Sequence, residues 1–397
     1  MKAQLRFEVV SDDATFDALR PEWESLLERS PTRTLFNTWA WLRCWWEHYG
    51  AGRRLAIVVA REGAVARGIL PLMVERERWK RLVPFRTLRL LGDGSFDSDY
   101  LDFLIPVSDG PRVVEDFWRF LFSEPGLRFD LVRICEMPTT SPHYGVLRSL
   151  LDTSGARVRE QRMGAVFTRL PSNWDAYVAS LKPRMRTKVR SLKRHLEEEH
   201  TVGIRRASTP EEINAALTSL FELHELRWKG RGQRGVFADP RKRAFYREMS
   251  HRFGDRGWLR LHTLDVDGCP VAHQHCVAHE GVLYLLQEGY DPAWEDHGVG
   301  NILRSLVLEE SVREGLHTYD FLGGVTQHKL SWAGEVKEST RFTCLGKGHW
   351  GLLYFELSSL GASVRRLRAR VASKDRPAPP ERGDRGPISS SEPRDPA

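Results

Sequence analysis

The chain has 397 residues, 41% apolar and 28% charged, with 60 Lys+Arg against 53 Asp+Glu for a formal charge of +7. That length predicts two domains plus a tail, and the composition is that of a globular chain able to bury a sizeable core. Five scattered cysteines without a CxxC, no signal-peptide run and no apolar window near eighteen residues argue against a secreted, disulfide-built or membrane-spanning protein and predict a cytoplasmic one.

In chain order, residues 4–9 alternate as a strand, and Ser11-Asp12-Asp13 caps a helix predicted over 16–27. Asn37-Thr38 precedes a helix on which Trp41 and Trp45, and Leu42 and Trp46, lie one turn apart, forming a face expected in the core. Residues 55–60 and 68–74 read as a hairpin around Glu62-Gly63, with 88–92 and 100–105 continuing the sheet. A helix over 111–122 and a strand over 129–135 complete a first unit. Residues 181–194 then form an amphipathic helix, with Met185, Val189, Leu192 and Leu196 on one face and a dense basic run on the other. Thr209-Pro210-Glu211-Glu212 starts a helix carrying Leu217, Leu220, Phe221 and His224, and a further helix follows Asp239-Pro240.

The stretch 258–332 is the most legible. Three apolar-rich segments, 258–266, 271–279 and 282–290, are separated by Asp267-Gly268 and Glu280-Gly281, the pairs that turn hairpins. Gly298-Val299-Gly300-Asn301 opens a periodic helix that stops near Gly315, and the strand Tyr319-Asp320-Phe321-Leu322 ends at Gly323-Gly324. The order of elements repeats that of the first unit. Residues 55–66 lie beside 260–271, and FDLVRI at 129–134 echoes TYDFLG at 318–323, which predicts a divergent duplication. The expected layout is 1–170 as a degenerate first unit, 171–350 as the second, a helix at 351–372 and a disordered tail at 373–397.

Chemistry concentrates in the second unit. Glycines 298 and 300 leave the free N–H groups of a helix start open to an anion such as a pyrophosphate. His273 and His275 share one strand face, and Glu288 sits just before Gly289-Tyr290. Each histidine taken singly is more readily an ordinary satisfied side chain. His273-x-His275-Cys276 lacks further ligands at zinc spacing, and the acid-rich loop 93–99 lacks the order of a calcium loop, so no metal is expected. The basic run at 182–194 is a solvated face or a phosphate contact.

PRMRTKVRSLKRHLEEE at 183–199, PVAHQHCVAHEGVLYLLQEGYDPAWEDHGVGNILRSLVLEESVREG at 270–315 and YDFLGGVTQHKLSW at 319–332 together resemble the GNAT acyltransferases in their double-domain form. More narrowly they resemble the CelD/BcsL-type (BioF-like) acetyltransferase family, related to the FemAB transferases. The resemblance implies an α/β (α+β) fold of tandem GNAT-like domains, each a mixed, mostly antiparallel sheet flanked by helices. It implies direct transfer from acetyl-CoA or another acyl-CoA to an amine or hydroxyl, without a covalent enzyme intermediate or a metal. The expected donor-binding residues are Gly298, Val299, Gly300, Asn301 and Arg304. Glu288 or His275 is the expected base, Asp320 a further catalytic candidate, and Lys329, Trp332 and Tyr290 substrate contacts. Glu295 stands where GNAT loops carry Gln or Arg, which weakens the usual phosphate contact unless Arg304 compensates. The family's association with cell-envelope and exopolysaccharide biosynthesis suggests a small-molecule or sugar-linked acceptor and contact with an anionic membrane surface. The alternatives are a Fem-like transferase using aminoacyl-tRNA, the one case that brings in nucleic acid, and a non-catalytic binding protein of the same fold. The acceptor, the acyl chain and the oligomeric state are not specified by the sequence.

Overall fold

The computed structural model describes residues 4–79, 82–230 and 232–357. The predicted tail at 373–397 and residues 358–372 of the predicted last helix lie outside the described residues.

The first half opens with β1 (Arg6–Val10), α1 (Asp13–Ala18), α2 (Arg20–Arg29) and α3 (Trp39–Tyr49). The helix expected over 16–27 is thus two helices, α1 capped by Asp12 and α2 restarted by Pro21 in its first turn. Next come β2 (Arg54–Leu55), β3 (Ile57–Glu62), β4 (Val65–Leu70), β5 (Leu72–Trp79) and β6 (Val83–Leu90). β2–β3 and β4–β5 are the two arms of one long hairpin, kinked at Ala56 and Pro71, so its tip belongs to one sheet and its base to another. The strand expected at 100–105 is reduced to a single bridge, Ile69 to Leu104. The half ends with α4 (Gly110–Ser123), β7 (Leu131–Pro138), α5 (Pro142–Thr153) and β8 (Val158–Arg169).

The second half runs α6 (Trp174–Ser180), α7 (Pro183–Glu197), β9 (Val202–Arg206), α8 (Pro210–Lys229), α9 (Pro240–Asp255), β10 (Leu259–Val266), β11 (Cys269–His279) and β12 (Val282–Tyr290). It continues with α10 (Val299–Arg313), β13 (Thr318–Gly323), α11 (Gln327–Leu330) and β14 (Glu335–Leu345). The meander turns as its sequence demands. Asp267 and Gly268, and again Glu280 and Gly281, all have positive φ, the signature of two-residue hairpin loops. Thr209 and Glu212 close a reciprocal capping box at the start of α8.

The strands β1-β3-β4 form a small sheet, and the others form a continuous one in the order β2-β5-β6-β7-β14-β8-β13-β12-β11-β10-β9. Within it β6 and β7 are parallel, and so are β12 and β13, each pair separated in sequence by one helix, α4 or α10. The duplicated layout expected from the sequence is therefore present, and the mixed α/β tandem architecture holds. By ladder position Leu131–Arg133 corresponds to Thr318–Asp320, two residues further along than the FDLVRI/TYDFLG echo suggests. The halves exchange their last strands: β8 pairs with β13, while β14 pairs with β7, and β8 and β14 pair with each other. The expected boundary at 170 falls at the end of β8, whose strand partners come from the second half.

One apolar cluster joins the first half to the inner faces of α8 and α9, with Trp23, Trp41 and Trp45 fully buried. A second lies beneath α10, built on Leu264, Cys276, Leu285, Leu303 and Trp332. Among the described residues no helix is long and apolar enough to cross a membrane.

Candidate active site

The parallel pair β12/β13 keeps register only over Val282↔Thr318, Leu283↔Tyr319 and Tyr284↔Asp320. Beyond it the strands diverge. β12 carries an extra residue between the pairs Cys276↔Leu285 and His275↔Gln287, and such a bulge bends its strand. β13 breaks its own register between Asp320 and Gly323, with Leu322 at a φ of 59°. From Leu285 onward the edge of β12 that faces β13 has no strand partner. A cavity of about 510 Å³ opens at this gap beneath the start of α10, and a second of about 690 Å³ opens toward β8, β14 and the loop at 96–99. Leu285 and Lys329 line both.

In the first cavity, Gly298 at φ 68° is the N-cap of α10 and supplies no side chain to its free N–H groups. A Cβ there would stand 3.1 Å from Leu192 of α7, so close packing as well as backbone conformation calls for glycine. Gly298, Val299, Gly300 and Asn301 all line this cavity, as do Tyr290, Arg304 and Lys329. Tyr290 donates to Glu295 at 3.0 Å, and Arg227 lies over its ring at 4.6 Å. Arg227 also lines the cavity, a basic contact that the sequence did not disclose because it arrives from α8, some sixty residues away in the chain. Glu288 and Arg304 form an ion pair in the wall, with Arg304 only 2% exposed and stacked over Trp332 and Phe321. Burial pushes the Glu288 carboxyl up, yet the adjacent guanidinium outweighs it and holds the group below its ordinary range.

In the second cavity the notable acid is Asp99, from the acid-rich loop at 93–99. Burial first, and then the charge of Asp320, raise its pKa to about 6. Glu136, also in the lining, is raised to about 7 by burial and by Asp99. The Lys329 ammonium donates to the carbonyls of Phe321, Leu322 and Gly323 at 2.8, 3.2 and 2.7 Å, pinning the bent end of β13 where the cavities meet.

Three of the expected site residues line neither cavity. His275 shares a face of β11 with His273 but is fully buried against α9, bonded through Nε2 to Ser250 Oγ at 2.7 Å, and lines neither cavity. Burial lowers its pKa to about 4, so it stays neutral within the core. Asp320 is likewise fully buried, held by Lys337 at 2.6 Å and Tyr100 at 3.0 Å, and its field is felt at Asp99 and Lys329. Trp332 is a core residue beneath Arg304. Glu288 lines the first cavity, but its pairing with Arg304 makes it a poor proton acceptor. Outside the cleft, Cys44, Glu47 and His48 on α3 bring ligand atoms within 4.8 Å of one another. Arg43 and Arg252 already engage Glu47, and burial pushes the Cys44 thiol up to about 12. That trio is poorly suited to a cation.

Compared with known proteins, residues 183–330 match the model of a family described as an acetyltransferase (GNAT) domain. No curated protein is matched by sequence. Among solved structures the chain is similar to FemX, with 11% identity, a TM-score of 0.60, and coverage of 85% of this chain and 97% of that one. It is also similar to a conserved protein of unknown function from Bacteroides thetaiotaomicron VPI-5482, with 15% identity, a TM-score of 0.55, and coverage of 85% and 100%. At these identities the likeness shows a shared fold. The matched segment, from α7 to α11, contains the cleft between β12 and β13.

Proposed function

We propose that the chain transfers an acyl group, acetyl in the simplest case, directly from acyl-CoA to an amine or hydroxyl, with residues 171–350 as the donor-binding unit and 1–170, its degenerate partner, supplying much of the acceptor side. The observation that carries this reading is the pair of cavities meeting at Leu285 and Lys329 across the gap between β12 and β13. A donor and an acceptor entering from opposite sides would meet there without a covalent enzyme intermediate.

The donor side suits CoA in two respects. The unpartnered edge of β12 offers backbone hydrogen bonds to the amides of a pantetheine arm, and the start of α10 offers N–H groups to its pyrophosphate. On the acceptor side Asp99 is the base we favour. An alkylammonium with pKa near ~10 is neutral in only about one part in a thousand at pH 7, so removing its proton is part of the work. Asp99 takes the ammonium proton, the freed lone pair attacks the thioester carbonyl, the C–S bond breaks, and the nitrogen's second proton goes to the departing thiolate, which leaves toward the first cavity as the CoA thiol. The exposed edge of β12 after Leu285 supplies N–H groups suited to the developing oxyanion. A sugar-linked acceptor in envelope or exopolysaccharide synthesis, met in the cytoplasm at an anionic membrane surface, fits the CelD/BcsL-type resemblance.

One observation favours a second reading. The basic face of α7 stands beside the mouth of the first cavity, with Leu192 packed on Gly298 and the charge of Lys188 felt at His328. Such a face would suit the phosphates of an aminoacyl-tRNA donor. Calorimetric titration with acetyl-CoA, longer acyl-CoAs and aminoacyl-tRNA, paired with thiol release on adding amines, tests both. Saturable binding of a CoA thioester supports the first reading, and binding of aminoacyl-tRNA alone replaces it with the second.

A further inference from the structure

Phe96 stands at the mouth shared by the second cavity and an adjoining one of about 250 Å³, and it lines both. Phe96 is 91% exposed although Asp97 and Ser98 beside it are buried. Its backbone is left-handed, with φ at 61°, a conformation that costs a bulky side chain energy and that Gly or Asn adopts more easily. The loop enforces it from both sides. Trp45 Nε1 donates to Ser95 Oγ at 2.8 Å, and Trp41 Nε1 donates to Ser98 Oγ at 2.9 Å. Between them the Lys242 ammonium binds the Ser95 carbonyl at 3.1 Å and the buried Asp97 carboxylate at 2.6 Å, which Tyr246 also reaches at 3.2 Å. An exposed aromatic held in a strained conformation by a buried network is not explained by folding, since neither the ring's burial nor its backbone preference stabilises the chain.

The rest of the lining mixes apolar side chains with charged ones, Glu136, Lys329 and Arg341 among them. Val325, 47% exposed, belongs to the same cavity lining, and Gly164 opposite it keeps the floor open, because a Cβ there would come within 2.6 Å of Val325. Asp99 lies three residues beyond Phe96 in the same lining. We propose that Phe96 is a preset acceptor-recognition platform: the acceptor is an amine whose carbon frame presents a CH-rich face, an amino-sugar ring or a hydrocarbon chain, which packs on the phenyl ring while its nitrogen turns toward Asp99. This deepens the acyl-transfer reading and rests on it for the fate of the amine. The packing itself requires only the ring and the cavity.

Glucosamine, n-hexylamine and methylamine would be compared as acceptors with acetyl-CoA by thiol release, and as ligands alone by calorimetry, in the full chain and in its Phe96→Gly and Phe96→Tyr variants. The proposal expects glucosamine or hexylamine to exceed methylamine by about tenfold or more in kcat/KM, the size of one apolar contact. Which of the two leads distinguishes a sugar from a hydrocarbon frame. Phe96→Gly should abolish that preference with the KM for acetyl-CoA unchanged, Phe96→Tyr should keep it, and the Tm of Phe96→Gly should equal or exceed that of the parent because strain is relieved. Turnover with a preference that survives Phe96→Gly, or a lowered Tm in that variant, overturns the platform and leaves acyl transfer standing. Phe96-dependent binding of the larger amines without turnover keeps the platform and removes acyl transfer. No binding and no turnover of any probe overturns both.

Discussion

The carboxylate of Glu288 on β12 is held by the guanidinium of Arg304 on α10, inside the wall of the donor-side cavity. The pair changes what each residue can do. Arg304 commits its charge to Glu288 and a donor to His328, so it supports the cavity wall and does not reach out to replace the base missing at Glu295. Replacing Arg304 by Ala would strand a half-buried carboxylate, and a loss of about 3 kcal/mol is expected in urea unfolding. Arg304→Lys should lose less stability but still weaken donor binding, since an ammonium cannot reproduce the fork. Glu288→Gln should keep most turnover and an unchanged pH profile; a drop of about a hundredfold would restore Glu288 as the base.

Asp99 predicts the pH dependence of the reaction. Its carboxyl must be ionised to accept a proton, so kcat/KM should rise with pH through about 6. Asp99→Asn, nearly isosteric, should lower turnover by about 10² to 10⁴ and remove that limb. Stability should move the other way. With the folded pKa raised from 3.8 to about 6, the native state holds the proton longer than the unfolded chain, so this group's contribution falls as pH rises across that window. Asp99→Asn should therefore be more stable than the parent at pH 8. An inactive variant that is also destabilised there would point to a structural role instead.

His275 carries the opposite sign. Its folded pKa of about 4 lies below the ordinary 6.5, so the unfolded chain takes up the proton first and stability is lost as pH falls from 6.5 toward 4. His275→Ala should cost about 2 to 4 kcal/mol through the lost Ser250 bond and the void, and should flatten that acid limb. Turnover per folded molecule should stay within about twofold, because a core substitution away from the cleft acts on stability and not on the reacting groups. A large fall in kcat at full folding would return His275 to the catalytic list.

The meander at 258–290, the helix after Gly298 and the strand at 319–322 were readable because each states its structure locally, through paired positive-φ turns or a helical apolar stripe. β8 and β14 were not. They occupy the middle of the sheet, yet their sequences, VREQRMGAVFTR and EVKESTRFTCL, are polar and charged, because cross-strand pairs such as Arg162 with Glu338 and Arg169 with Glu335 take the place of apolar contacts. Asp99 was hidden for a related reason. A carboxylate in a Gly-, Ser- and Asp-rich loop looks solvated until the chain places Asp320 and Gly323 against it from more than two hundred residues away. His275 misled because strand alternation gives the face of a residue but not its depth: His273 on the same face lines the first cavity, while His275 is enclosed beneath α9.

The strand exchange predicts that neither half folds alone. β8 and β14 share a ladder from Glu335↔Phe167 to Cys344↔Val158, β14 continues to β7, and β8 continues to β13. A chain ending at residue 170 would keep β8 but lose both its partners, and would leave the edge of β7 bare as well. A chain starting at 171 would present the edges of β13 and β14 to solvent, and exposed, unpaired edges of that length invite aggregation. Each fragment expressed separately should be insoluble or lack a cooperative thermal transition. Co-expression should restore a soluble pair, since every missing backbone hydrogen bond is supplied by the other fragment. A fragment of residues 1–170 that melts cooperatively near the Tm of the intact chain would show that the halves are independent domains and that the shared sheet is incidental to folding.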